Sequence, residues 1–180
     1  MNAPVLETGR LRLVPFGDPH LGGHYVAWLN DPDVVRFSEN RHRQHTLDSC
    51  REYLAEMRVG PHLFWAIEQK EPAARHIGNI TAYIDAPNSV ADVAIMIGDT
   101  DAQGTGLGSE AWCAVIDHLL ANAGIRRVQA GTMAANAPMR ALMRKSGMRE
   151  EASQKGRFLL DGQPVDLVSG ARFADDKPAN

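Results

Sequence analysis

The spacing of apolar and polar positions changes period twice along the chain. In residues 10–15, Leu11 and Leu13 alternate with Arg10 and Arg12, the pattern of a half-buried strand. Asp18-Pro19 reads as an N-cap with proline at the first helical position, followed by an apolar stripe of Leu21, Tyr25, Trp28 and Leu29. Asp31-Pro32 repeats the signal for a short second turn. Thr46 caps a further helix whose buried side is Leu47, Cys50, Leu54 and Met57. The period then drops from 3.6 to 2. LFWAIEQ (63–69), HIGNITAYID (76–85) and VADVAIMIG (90–98) read as three successive strands with short Pro- and Asn-bearing connections, as in an antiparallel meander. A glycine-rich turn leads into an amphipathic helix carrying Ala111, Trp112, Val115, Ile116, Leu119 and Leu120, stopped by Gly124. RRVQAGT (126–132) is a strand. Asn136 caps a helix with Met139, Leu142 and Met143 that Gly147 ends, and KGRFLLDGQPVDLVSGARF is a hairpin turning at Asp161-Gly162. This order of elements predicts an α+β class with a mixed sheet.

Composition adds few constraints. A chain of 180 residues, 44% hydrophobic and 23% charged, fits one domain over 1–173, with the polar ending ADDKPAN (174–180) as a frayed tail. At this length roughly two-thirds of the unfolded surface is buried on folding, so no disulfide or structural metal is needed. Cys50 and Cys113 sit among apolar residues at helical spacing and read as reduced core thiols. A net charge of −3 exerts no general pull on nucleic acid or anionic membrane. MNAPVLETGR has no apolar run like a signal peptide, and no stretch of 18 apolar residues occurs. A soluble cytoplasmic protein is the expectation.

The segment GDTDAQGTGLGSEAW carries the most chemistry. Gly104, Gly106 and Gly108 stand between a strand and the start of a helix. Without side chains they let a ligand approach the backbone, where N–H groups and the positive dipole end suit a phosphate or pyrophosphate. The plainer alternative is a tight turn. Two phosphate-binding motifs fit poorly. Gly108 is followed by Ser109 and Glu110, without the lysine of a Walker A loop. A dinucleotide fold places its glycines after the first strand of a βαβ unit and an acid at the end of the next strand, whereas here three hairpin-linked strands come first and RRVQAGT ends without an acid.

QGTGLG, Gln103 to Gly108, resembles the Arg/Gln-x-x-Gly-x-Gly/Ala signature of the GNAT superfamily of N-acetyltransferases, and NAPMRALMRKSGM (136–148) is similar to that family's second cofactor segment. The order of elements matches from about Leu11 to Phe173. WLNDPDVVRFSENRHRQHT and GNITAYIDAPNSVADVAIMIGD look most like the branch of ribosomal-protein, spermidine and amino-sugar acetyltransferases. The resemblance implies a single mixed sheet of roughly seven strands flanked by about four helices. It implies acetyl-CoA as acyl donor, with no metal, and direct attack of an amine on the thioester in a ternary complex. It also implies a splayed strand before the glycine turn, over Met96, Ile97 and Gly98, with a backbone N–H such as that of Ile97 bonding the thioester carbonyl and stabilising the developing oxyanion. The remaining cofactor contacts would come from Gly104, Thr105, Gly106, Leu107, Gly108, Ser109, Asn136, Met139 and Met143. Gln103 either bonds a phosphate or only closes the turn. Arg144 and Lys145 reach the ribose phosphate or simply offset the helix dipole.

The attacking nitrogen must be neutral. For a lysine-like amine of pKa ~10.4, deprotonation at pH 7 spans about 3.4 pH units, or roughly 4.6 kcal/mol, whereas an α-amine of pKa ~8 needs about 1.4 kcal/mol. Asp92, the one carboxylate within VADVAIMIG, is the first candidate base; the plainer reading is an exposed carboxylate near a strand start. Glu39, Arg41, His42 and His45, in a loop that commonly walls the acceptor pocket in this family, and Tyr83 are the candidate acceptor contacts, with Arg36, Arg41 and Arg43 available for an acceptor's phosphate or carboxylate; the plainer reading of these loop residues is a solvated face. His42 and His45 have a metal-like spacing without a third ligand, so no zinc is expected. The sequence departs from the family pattern where many members carry a general acid: the tyrosine seven residues after the helix-capping asparagine is Met143, and the serine of another branch is Met139. The acid comes from elsewhere, such as Tyr83 or water, or none is needed, since a thiol of pKa ~8.5 leaves tolerably near neutrality. The expected partner is a small-molecule amine, an amino sugar or polyamine first, and the family admits a homodimer. A peptide α-amine acceptor, a longer acyl donor such as succinyl-CoA, and a catalytically silent acyl-CoA-binding regulator are the alternatives.

Overall fold

Strand pairing follows chain order for the first five strands and then changes direction once. The computed structural model describes residues 3–72 and 74–176. β1 (Leu6–Glu7), β2 (Leu11–Pro15), β3 (Leu63–Gln69), β4 (Arg75–Asp85) and β5 (Val90–Ile97) are antiparallel neighbours. β6 (Arg127–Met133) lies parallel to β5, β8 (Gln163–Phe173) lies beside β6, and β7 (Arg149–Leu160) forms the outer edge. Among the described residues the sheet has eight strands, one more than expected; the extra one is the two-residue β1. Among the described residues, α1 (Gly23–Asn30), α2 (Leu47–Val59), α3 (Leu107–Asn122) and α4 (Ala137–Lys145) are the four α-helices that cover it. The mixed α+β fold is the one predicted. Residues 177–180 of the proposed tail lie outside the described residues.

Two local expectations shift. Asp18-Pro19 starts only a single 3₁₀ turn, Asp18–His20, and α1 begins at Gly23 with the extended Gly22 as its N-cap, the glycine pair favouring a break over continued helix. Leu47, expected on the buried side of α2, is the first helical residue and is exposed.

The alternation of each strand divides the core into two layers. On one face, Leu11, Leu13, Trp65, Ile67, Ile80, Ala82 and Val93 pack with Trp112, Val115, Ile116 and Leu119 of α3. Trp65 and Trp112 are fully buried, and truncating either to alanine costs about 3–5 kcal/mol. On the other face, Phe64 and Ala66 meet Tyr25 and Leu29 of α1 and Cys50, Leu54 and Met57 of α2. Trp28 of α1 lies so close over Gly98 that a Cβ there would sit 2.0 Å from the indole.

β5 and β6 pair only over Val90–Asp92 with Arg127–Gln129. Beyond that point β6 continues its ladder with β8 through Met133, while β5 continues with β4 through Ile97. The sheet is therefore open between residues 93–97 and 130–133.

Candidate active site

The opening between β5 and β6 is continuous with a cleft of about 1220 Å³ that runs on to α2 and the loop before it. Backbone direction along β5 follows from one hydrogen bond. Gly98 N donates to Ile77 O at 3.0 Å, so the preceding residue, Ile97, turns its own N–H and C=O away from β4. Ile97 O is taken on that side by Gln103 Nε2 at 2.9 Å. By the same alternation the N–H groups of Val93, Ile95 and Ile97 face the opening. Gln103 thus closes the turn through Ile97.

The glycine turn ends this edge. Gly104 and Gly106 have φ of +73° and +84°, the left-handed region where a side chain is strained. Gly106 is the N-cap of α3 and supplies no capping side chain, whereas Thr46 and Asn136 cap α2 and α4. Glu110 N donates to Gly106 O at 3.1 Å; the amides of Leu107, Gly108 and Ser109 before it have no intrahelical acceptor. Three amides and the dipole end of a 16-residue helix are therefore presented where an anion would sit. Gly108 abuts Ile97, its notional Cβ 3.2 Å from that side chain, so the turn is fixed against β5. Glu110 anchors the other side through Arg10 Nε (2.7 Å) and Thr8 Oγ1 (2.6 Å), contacts that hold its carboxyl below the ordinary value against the opposing effect of burial.

Most of the predicted cofactor residues converge here. Met96, Ile97, Gln103, Gly104, Gly106, Gly108, Ser109, Asn136 and Met139 line the cleft, as does Lys145. Thr105 and Leu107 do not: Thr105 Oγ1 donates to Ala102 O at 2.6 Å, and Leu107 is buried in the core. Gly98 lies behind the edge against Trp28. Met143, expected as a cofactor contact, is buried and packs toward Gly170, away from the cleft lining. Asn136 bridges its surroundings, with Oδ1 accepting from Met139 N (3.2 Å) and Nδ2 donating to Thr132 Oγ1 (3.0 Å).

Asp92 lies in the same cleft on the α2-facing side of the sheet, open to water but flanked by protein. Burial raises its carboxyl above the ordinary value, and the hydrogen bond from Gln129 Nε2 (3.1 Å) partly opposes this. Asp92 and Ile97 are five residues apart, roughly 16 Å of strand. A reacting carbon served by both would need relaying waters, whereas a carbonyl seated on Ile95 or Val93, which share the open edge, would lie nearer Asp92. Tyr83 is opposite Asp92 in the ladder, and its hydroxyl lies 2.6 Å from that of Tyr53 on α2. Burial first, then the Tyr53 contact and the Asp92 charge, push the Tyr83 phenol far above its ordinary value, which disfavours it as a proton donor to a thiolate. Burial likewise raises both thiols, so neither Cys50 nor Cys113 is an activated nucleophile.

The loop before α2 divides. Glu39, Arg43 and His45 line the cleft. His45 is fixed by two backbone bonds to the Asn30 side chain (both 2.8 Å), and its Nε2 is buried without a partner. Arg41 and His42 do not line the cleft. Arg41 ties the loop to the β7–β8 hairpin by donating to Ser38 O (2.8 Å) and Leu159 O (3.1 Å), and His42 is exposed, 4.0 Å from Glu39. Arg36 makes a second tie, to Asp161 at 3.0 Å. The hairpin bends at an irregularity between Gln154 and Phe158, where Gly156 N donates to Asp166 Oδ1 at 2.8 Å, and Phe158 and Leu167 join the cleft wall.

Sequence reasoning missed Asn79, Thr81, Tyr53, Glu52 and Glu56, all of which line the cleft. Asn79, Thr81 and Tyr83 share one face of β4, and a period-2 reading of HIGNITAYID that kept its polar members would have found them.

Residues 10–149 match the family model for an acetyltransferase (GNAT) domain. The chain belongs to the GNAT acetyltransferase family and is an acyltransferase. Among solved structures it is similar to RimL, a ribosomal alpha-N-protein acetyltransferase solved with coenzyme A (18% identity, 94% of this chain and 98% of that one, TM-score 0.80). It is also similar to RimJ of Mycobacterium smegmatis, solved with CoA-disulfide (19% identity, 98% and 88%, TM-score 0.79). A third is MccE, a microcin self-immunity acetyltransferase solved with acetyl-CoA and AMP (14% identity, 92% and 93%, TM-score 0.76). At these identities the likeness is one of fold.

Proposed function

We propose that this enzyme transfers the acetyl group of acetyl-CoA to a primary amine of a small molecule, an amino sugar or a polyamine, by direct attack in a ternary complex. The observation that carries the reading is the continuity of two backbone surfaces. The outward N–H groups of Ile95 and Ile97 run directly into the uncapped amides at the start of α3. The first surface suits the amide-bearing arm and thioester carbonyl of coenzyme A, and the second suits its pyrophosphate. Bound acetyl-CoA supplies an activated acyl carbon. Ile97 N–H, or Ile95 N–H two residues nearer Asp92, polarises the carbonyl. Asp92 accepts the proton of the attacking amine, directly or through water. No side chain is assigned as general acid: Met139 and Met143 occupy the usual positions, and the Tyr83 hydroxyl is engaged with that of Tyr53.

A second reading, acetylation of a peptide α-amine, draws on the activity named for RimL and on a cleft larger than the ~300–1,000 Å³ common for small-molecule sites. The deciding experiment is a thermal-shift titration with coenzyme A, acetyl-CoA and succinyl-CoA, followed by thiol release against small amines and short peptides. Saturable stabilisation with release on a small amine supports the first reading, and release only on peptides supports the second. No shift at millimolar coenzyme would sink both.

A further inference from the structure

The cleft face of β4 carries a polar side chain with nothing to bind. Asn79 is 9% exposed, lines the cleft, and its Oδ1 has no hydrogen-bond partner. Its neighbours Ile80 and Ala82 point into the opposite core, so Asn79, Thr81 and Tyr83 form the cleft floor, opposite Met96, Ala94 and Asp92 on β5. A buried amide oxygen left unpaired is unfavourable by about 1–3 kcal/mol, and a ligand N–H at that point removes the penalty.

The wall facing this floor is acidic. Ser49, Glu52, Tyr53 and Glu56 line the cleft from one side of α2, and the phenol pair Tyr53–Tyr83 joins that helix to β4 level with Asp92. Glu52 and Glu56 are four residues apart on the helix, where like charges repel, and among the described residues neither has a cationic partner. The cleft away from the glycine turn presents Asp33, Glu39, Glu52, Glu56 and Asp92 against Arg43, and of these carboxylates Glu39 is already engaged by Arg41 at 2.8 Å.

We infer that the acceptor is a small diamine or polyamine held at two points: Asn79 Oδ1 receives an N–H of the nitrogen to be acetylated, and Asp92, Glu52 and Glu56 hold a second ammonium. The inference rests on the acetyltransferase reading and narrows its substrate class. Asn79 pairs with Met96, next to the Ile97 edge, and Asp92 is four residues further back, roughly 13 Å of strand. A chain of that reach places one nitrogen beside the acyl carbon and the other in the acidic end. With the distal charge on Asp92, its carboxylate reaches the attacking nitrogen only through relaying waters.

Isothermal titration of the coenzyme A-bound protein with α,ω-diamines of six to ten carbons, each beside the monoamine of equal length, tests this without requiring turnover. The expected result is that the long diamines bind at least tenfold tighter than their monoamines, with a preference that fades as salt rises. Glu52→Gln with Glu56→Gln weakens diamines about tenfold and leaves monoamines unchanged, while Asn79→Ser weakens both classes alike. Coenzyme A affinity, titrated separately in each variant, stays at its wild-type value. Equal affinity of diamines and monoamines, no heat with any diamine, or wild-type binding by Asn79→Ser would overturn the inference. Loss of coenzyme A binding by the wild-type protein would instead count against the acetyltransferase reading itself.

Discussion

The two ends of the cleft are built in opposite ways. The end proposed for the coenzyme is mostly backbone: outward amides on β5, a turn whose glycines take positive φ, and a helix start without a capping side chain. The end proposed for the acceptor is lined by side chains: Asn79 and Thr81 on β4, Asp92 on β5, Glu52 and Tyr53 on α2, and Phe158 on the far hairpin. A backbone site is specified over some fifteen consecutive residues and admits little variation, because any Cβ at a positive-φ position is strained. A side-chain site gathers residues more than 100 positions apart, as Glu52 and Phe158 are, and can be re-aimed by single substitutions while the fold stays intact. Such a division suits a family with one donor and many acceptors.

This contrast can be broken from either end. The largest expected effect is for Gly106→Glu, which puts a carboxylate on a strained αL residue at the anion site. Coenzyme A binding should weaken more than a hundredfold, read as disappearance of the saturable melting shift, while diamine binding to the acceptor end persists. Retention of the shift would remove the glycine turn as the site.

Next comes Asp92→Asn. Loss of a positioned base should lower turnover by about 10²-fold with coenzyme A affinity unchanged. Burial raises the Asp92 carboxyl, so its basic form is lost, as pH falls, at a higher pH than for an ordinary aspartate. The wild-type rate should therefore show an acid limb that the variant lacks. The stability sign is opposite to that of a salt-bridged acid. The partly desolvated charge is unfavourable above the raised pKa, and its burden fades as pH falls and is gone below the ordinary aspartate value. Asp92→Asn should accordingly melt higher than wild type near neutrality and equal to it in acid. An unchanged pH–rate profile would leave Asp92 with the acceptor's distal charge alone.

Gly78→Ala tests the frame shared by both ends. A Cβ there would lie 2.2 Å from Met96 O, a backbone atom that cannot rotate away, so β4 and β5 must separate. The expected loss is about 1–3 kcal/mol of stability in denaturant titration, with both ligands weakened together. Gln103→Ala is the mildest change. It removes one hydrogen bond to Ile97 O, worth about 1 kcal/mol, and should weaken coenzyme A less than tenfold without touching the acceptor.

Legibility in the sequence followed the same division. QGTGLG, the Asn136 cap and the period-2 runs over 63–69 and 90–98 are local patterns, and each became the predicted element within a residue or two. The misplaced features were those whose outcome depends on distant partners. Arg41 reads like an acceptor contact until Leu159, 118 residues away, takes its guanidinium. Met143 reads like part of a cofactor wall until α4 docks with that side chain toward Gly170. Asn79 reads as one polar residue in a strand until its face proves to be the cleft floor.

The sequence by itself determined the order of the main strands and helices and the place of the glycine turn, because periodicity and capping act over a few neighbouring residues, while the class of chemistry was implied by the resemblance of QGTGLG and NAPMRALMRKSGM to the GNAT pattern. Only the tertiary structure decided that β5 and β6 part after three paired residues, and that α2 lays its carboxylates opposite Asn79. These depend on which faces the chain buries when elements far apart in sequence pack together, a free-energy balance spread over the whole core that no local segment encodes.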